Sequence, residues 1–185
     1  MAENLVVALQ EKLGFSPFEK IDPNLPQDKT ELKLKAGTDH YTQAAAISVL
    51  AGIYKFGTAA ENAVILLNTD PDDLLTIIFG DKETDVIKAV SYYGDRNYDS
   101  TKLTMTKSAV ESIDIIKKGV GENATPEKIA SYIAGQRHNI LVCLPPDLQL
   151  GTIIDDNSFD DVTNKMEGPV SGLVHFFENL FAEKK

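Results

Sequence analysis

Residues 77–94 read IIFGDKETDVIKAVSYYG, and residues 129–154 read IASYIAGQRHNILVCLPPDLQLGTII. Apolar residues recur in both at helical spacing, and the runs are cut by Gly80, Gly94, Gly135 and the pair Pro145-Pro146. This is the pattern of short helices that each bury one face and stop where the chain cannot continue as helix. Val86, Ile87, Val90 and Tyr93 form the inward face of a helix over about Glu83–Tyr93. Between the two stretches, Leu103, Thr106, Val110, Ile113, Ile116 and Val120 keep a helical period. That helix starts at Asp99 or Ser100 and ends at Gly119 and Gly121. Thr125-Pro126 opens the next, a capping residue followed by proline in the first turn. None of these runs carries a recognisable catalytic constellation, so the best-patterned part of the chain specifies a fold and not a reaction.

Upstream, Ala44, Ala45, Ile47, Val49, Leu50 and Ile53 surround a helix on nearly all sides, from a cap at Asp39 to about Phe56. A helix apolar all round is central and buried. Thr58 is placed to cap a helix running to about Asn68. Thr69-Asp70-Pro71 starts another, with Asp72 and Asp73 at its positive end. Leu5, Val6, Leu9 and Leu13 recur at helical spacing before Gly14. Residues 14–36 then form an irregular arm, because Pro17, Pro23 and Pro26 deny helix continuity. Phe15, Phe18, Ile21, Leu25, Leu32 and Leu34 predict that the arm packs across the body. Beyond Gly151 comes an acidic loop, Asp155–Asp161, read as a solvated linker. Pro169 opens a C-terminal amphipathic helix. With no strand series, the fold class is all-α: a multi-helix bundle of short helices.

Composition narrows function by class. The chain has 185 residues, is 43% hydrophobic and 25% charged, and carries a formal net charge of -10. It is long enough for a real core, and its acidity repels phosphate backbones. The charge is uneven: residues 37–80 hold Asp39, Glu61, Asp70, Asp72 and Asp73 against the single base Lys55. Cys143 is the sole cysteine, so no intrachain disulfide and no cysteine-based metal site can form. The start, MAENLVVALQEKLG, has neither the early basic residues nor the apolar run of a signal peptide, and no run reaches bilayer length. The expectation is a soluble cytoplasmic protein, or a periplasmic one if a leader was removed.

The progression through residues 77–154, with its Phe79-Gly80 turn, the long helix, and the spacing Gln136, Ile140, Leu144-Pro145, resembles the DUF937 (YidB-like) bacterial family. The resemblance covers about two fifths of the chain and does not extend over the arm or the tail. Where that family often places Pro and small residues in the long helix, this chain reads SAVESIDIIKKGVG at 108–121. The resemblance implies an all-α fold of two subdomains, here 37–80 and 81–154. They are flanked by the helix and arm of 1–36 and by the loop and tail helix of 155–185. It implies no activity, since the family is one of unknown function.

Several residue sets compete for a functional role. His40, His138 and His175 are far apart in sequence and form no metal-binding pair. Asp156, Ser158, Asp160, Asn164 and Glu167 fall at positions 1, 3, 5, 9 and 12 of a calcium loop, all oxygen donors. Against a site, position 6 is Asp161 where the turn wants Gly, and position 8 is Thr163 where an apolar anchor is usual. No cofactor is expected unless that loop takes Ca²⁺. Residues Thr125–Leu144 resemble a helix-turn-helix with Lys128 and Arg137 as its bases; the plainer reading is two core helices meeting at Gly135. On the tail helix, Leu173, Phe176, Phe177, Leu180 and Phe181 make a face suited to docking in a groove, or to closing the chain's own core. Tyr92, Tyr93, Arg96, Arg137 and His138 are the residues from which an enzyme site would be assembled.

The function these patterns favour is a non-enzymatic protein-binding or scaffold module. The alternatives are an enzyme with a site of scattered residues and a DNA binder, the latter disfavoured by charge. The partner expected is another protein, with no nucleic acid and no membrane insertion. An exposed apolar groove favours the module, and a deep polar pocket with converging side chains favours the enzyme.

Overall fold

The computed structural model describes residues 3–21, 40–156 and Phe159. The element that organises it is the helix His40–Gly57 (α2), on which Ala44, Ala45, Ala46, Ile47, Val49, Leu50, Ala51 and Ile53 are all fully buried. A helix with no polar stripe is stable only when surrounded. Here α1 (Leu5–Leu13), α3 (Ala60–Asn68), α4 (Leu74–Phe79), α5 (Glu83–Tyr93), α6 (Tyr98–Val120), α7 (Pro126–Ala134) and α8 (Arg137–Leu141) all pack against it. Three 3-10 turns, Pro71–Asp73, Gly80–Lys82 and Pro146–Leu148, and a last short helix, Leu150–Ile153 (α9), complete the order. The fold is all-α, with no strand among the described residues. The buried side chains of 40–80 and of 81–154 belong to one contiguous cluster, because α2 offers an apolar surface to both stretches.

Most helix ends follow the chemistry of the sequence. Asn4 caps α1, accepting from Val6 N at 3.0 Å and Val7 N at 3.3 Å, and Gly14 closes it in the left-handed region. Thr125 caps α7 through Lys128 N at 3.3 Å. Other caps differ from expectation. The long helix starts one residue before Asp99, capped by Asn97, whose Oδ1 accepts from Ser100 N at 2.8 Å. Thr58 does not cap α3; its hydroxyl donates back to Lys55 O, leaving Ala59 at the cap. Thr69 likewise donates to Ile65 O at 2.7 Å, and Pro71 opens a 3-10 turn before α4 begins. A hydroxyl competes equally for donors ahead of it and for carbonyls behind it.

The buried face of α6 also differs. Leu103, expected inward, is 57% exposed, while Thr101, Met105, Ser108 and Ser112 are fully buried. The hydroxyls of Thr101, Ser108 and Ser112 donate to the carbonyls of Asn97, Thr104 and Ser108 at 2.9, 2.9 and 2.6 Å. With their polar atoms satisfied inside their own helix, these small side chains enter the packed interface without orphaned groups.

The arm packs as expected as far as Ile21; Leu25, Leu32 and Leu34, like the cap expected at Asp39, lie outside the described residues. Phe15 and Phe18 sit against the core with ring centroids 6.2 Å apart, and Ile21 N donates to Val142 O at 2.7 Å. Two buried glutamines tie down the N-terminal region, one at the arm and one at the start of α1. Gln43 accepts from Glu19 N and donates to the carbonyls of Glu19 and Cys143, each at 2.9 Å. Gln136 accepts from Leu5 N at 3.0 Å and donates to Glu3 O at 3.1 Å. Cys143 is buried, and burial pushes its thiol up against a smaller downward pull from Lys20. The loop at Asp155–Asp161 is not wholly a solvated linker: Phe159 is 1% exposed and meets Tyr54 edge-on at 5.8 Å. Burial of a large aromatic side chain stabilises by about 1.5–3 kcal/mol, enough to hold that position of a polar loop against the body. No described helix is long and apolar enough to cross a membrane.

Between α4 and α6, Glu83 accepts from Thr76 Oγ1 at 2.6 Å and pairs with Lys102 Nζ at 2.9 Å. Burial works to raise its pKa, but the hydrogen bonds from Lys102 and Thr76 outweigh it and hold the carboxyl below its usual value. A depressed carboxylate contributes stability above its unfolded pKa, about 4.3, and loses it as pH falls through the folded value. Glu83→Gln is therefore expected to lower thermal stability by a constant amount above about pH 4.3 and to flatten its loss below that pH. Melts across that window, unchanged between the two proteins, would refute the role given to this pair.

Candidate functional site

Two openings in the described surface are deep enough to consider as sites. The first is a cleft of about 370 Å³ between α2, α4 and the end of α9. Phe56, Ile78, Phe79 and Ile154 form its apolar walls, and Lys55, Asn62, Asp81, Lys82 and Asp155 its polar ones. Two of its charged groups pair with each other, and a third is held by a backbone carbonyl. Lys82 Nζ lies 2.8 Å from Asp155 Oδ2, and Lys55 Nζ donates to Ile154 O. The hydrogen bond and the charge of Lys82, with help from Lys55, hold Asp155 below the usual carboxylate range. A lysine and a carboxylate neutralised by each other in this way are poorly placed to act as free acid and base.

The second is a groove of about 620 Å³ at one end of the bundle. Its walls are Val64 and Leu67 of α3, Val120 of α6, Ala124 in the connecting loop, and Pro126 and Ile129 of α7. The loop between α6 and α7 shapes it. Gly121 takes φ 82°, which a side chain rarely adopts, and its N donates to Lys117 O at 3.0 Å. Ala124 N then donates to Gly121 O at 3.3 Å, turning the chain into Thr125-Pro126. Lys128 reaches back to Val120 O at 2.8 Å, satisfying a carbonyl at the negative end of α6. Asn68, Lys117 and Glu122 stand at the rim. Beside the groove on α3, Ile65 is 45% exposed. Lys117 and Glu122 are the titratable groups among the described lining residues, so the site offers apolar contact area with little acid–base chemistry.

The residues proposed from sequence fall elsewhere. Leu173, Phe176, Phe177, Leu180 and Phe181 lie outside the described residues, as do Ser158, Asp160, Asn164 and Glu167 of the calcium pattern. Asp156 is described; its N donates to Gly151 O at 2.9 Å, and its carbonyl accepts from Phe159 N at 3.2 Å. No group of three or more His, Cys, Asp or Glu among the described residues is arranged to hold a metal. Tyr92 is half exposed, and Arg96 lies over the Tyr41 ring at 5.6 Å. Tyr93 is pushed up by burial and by the negative charge of Asp147. Arg137 and His138 are exposed on α8. Neither opening is lined by any of these five. The helix-turn-helix-like segment forms α7 and a five-residue α8 meeting at Gly135, with Ile140 and Leu141 of α8 in the core.

The groove residues were missed, although α3 carried a signal. Val64, Ile65, Leu66 and Leu67 are four consecutive apolar residues on a nine-residue helix. Consecutive helical positions turn about 100° apart, so one core cannot bury all four and a second apolar face follows. What stands opposite that face depends on the loop at Gly121, which spacing does not reveal. No protein-family model, curated protein or solved structure gives a significant match to this chain.

Proposed function

We propose that this protein is a non-enzymatic protein-binding module that docks a partner in the groove between α3, the end of α6 and the start of α7. The observation that carries the reading is the apolar lining of the groove, with Val120 and Ile129 buried in it, Val64, Leu67 and Ala124 half-buried, and the exposed Ile65 next to Val64 on α3. A concave apolar lining beside an exposed apolar side chain is a shape that takes the apolar ridge of a partner. The net charge of -10 argues against a phosphate backbone as the partner. Kinship with the DUF937 family, through the pattern of helix ends and core positions over 77–154, is a companion proposal and adds no activity to it.

The test compares proteins retained from native lysate by the full chain and by Leu67→Glu, Ala124→Arg and Leu103→Glu. Leu103 lies outside the groove and serves as the surface control. A partner bound in the groove is lost from the first two variants, by about tenfold or more in affinity, and kept by the third. Circular dichroism identifies any variant that has unfolded. A partner retained equally by all three folded variants overturns the groove reading.

A further inference from the structure

We propose that the occupant of the groove is a helical segment with an apolar ridge and a basic flank, its Lys or Arg residues lying along the α3 side. This rests on the groove being a docking site and adds the chemistry of the partner. Residues 56–81 contain Glu61, Asp70, Asp72, Asp73 and Asp81 and no Lys, Arg or His. Glu61, Asp70, Asp72 and Asp73 are exposed, and none takes part in the ion pairs among the described residues. Glu61 stands three positions before Val64 and so shares its side of α3. Asp70 follows Asn68 at the rim by two residues, which places their Cα atoms within about 7.6 Å of each other. The acidic run is therefore continuous with the apolar wall.

The opposite wall is different. Lys117 and Glu122 offset each other there, and Lys128 is engaged with Val120 O. Charge across the groove is thus asymmetric, negative along α3 and the 3-10 turn and mixed along α6 and α7. Such a field selects a partner with basic residues on one side only and sets which way it lies. The nine residues of α3 run about 13 Å, which matches apolar anchors at i, i+3 or i+4, and i+7 of a docked helix.

The probes are fluorescent helical peptides of about 15 residues with Leu at those anchors. One carries Lys on the flank, one carries Glu there, and one carries Lys but Ser in place of the anchors. Binding to the full-length protein is read by anisotropy. The Lys peptide is expected to bind at least about tenfold tighter than the Glu peptide and to weaken with salt. Replacing Asp70, Asp72 and Asp73 together by Asn is expected to remove most of that preference, and Leu67→Glu to abolish binding. The Ser peptide should not bind.

Lys and Glu peptides bound alike, and both lost with Leu67→Glu, would leave the groove reading standing and overturn the basic partner. No binding by either peptide overturns this proposal, while the lysate comparison decides the groove reading separately. A concentration-dependent dimer dissolved by Leu67→Glu makes a second copy the occupant and overturns the proposal. So does a Phe177→Ser variant that binds both peptides more tightly, which assigns the groove to the chain's own tail.

Discussion

Gln43→Leu is expected to lower the free energy of unfolding by about 3 kcal/mol, although it replaces a polar side chain in the core by an apolar one of similar size. Gln43 is 2% exposed, and its amide serves three backbone groups: Glu19 N, Glu19 O and Cys143 O. Removing it leaves Cys143 O without that donor deep in the protein and releases the arm at Glu19. Orphaned buried groups cost about 1–3 kcal/mol each, and those at Glu19 recover part of this by reaching water. For a chain of this length, the loss corresponds to a fall of about 6–12 °C in Tm. Gln43→Glu separates the hydrogen bonds from packing. At neutral pH its carboxylate faces two carbonyls and is expected to be at least as damaging. In acid, the protonated carboxyl recovers one donor, so the deficit relative to wild type narrows. Amide exchange at Glu19 and Ile21 should quicken in Gln43→Leu. A variant as stable as wild type, with unchanged exchange there, would remove Gln43 as the link between arm and core.

Gly52 on α2 yields the second large effect. A Cβ at this position stands 2.3 Å from Ile78 Cγ2 and 2.6 Å from Phe79 Cε1. Both neighbours are buried side chains of α4 that also wall the cleft, so a new methyl is relieved only by displacing them into it. In an exposed helix interior, Gly→Ala stabilises by about 1 kcal/mol. Here the gain is offset by overpacking, and Gly52→Ala is expected to lose about 1 kcal/mol net and Gly52→Val about 3 kcal/mol. Chemical denaturation measures both. The double variant Gly52→Ala, Ile78→Ala should lose less than the sum of its parts, because removing Cγ2 makes room for the new methyl. Additive losses, or a Gly52→Ala protein more stable than wild type, would show that α4 does not press on α2 at this point.

These two positions mark where reading the chain stops. The helix α2 was legible as central because an apolar residue stands on every side of it, and its burial needs no knowledge of its neighbours. Nothing in the local pattern singles out Gly52 within it. Its meaning comes from Ile78 and Phe79 of α4, some two dozen residues away. The same holds for Gln43 and Gln136, whose partners are separated from them by up to 133 residues. The acidic loop read as polar on average, yet Phe159 within it is buried against Tyr54.

By itself, then, the chain determined the helical class, most helix ends and the centrality of α2, because caps, breakers and apolar period act within a few residues of themselves. Tertiary structure alone decided which face of α6 is buried, how the arm is held, and that Val64 and Leu67 meet Val120 and Ile129 across an open groove. Those outcomes depend on which surfaces arrive opposite one another after the chain has turned at Gly121 and Gly135, and local periodicity carries no record of that arrival.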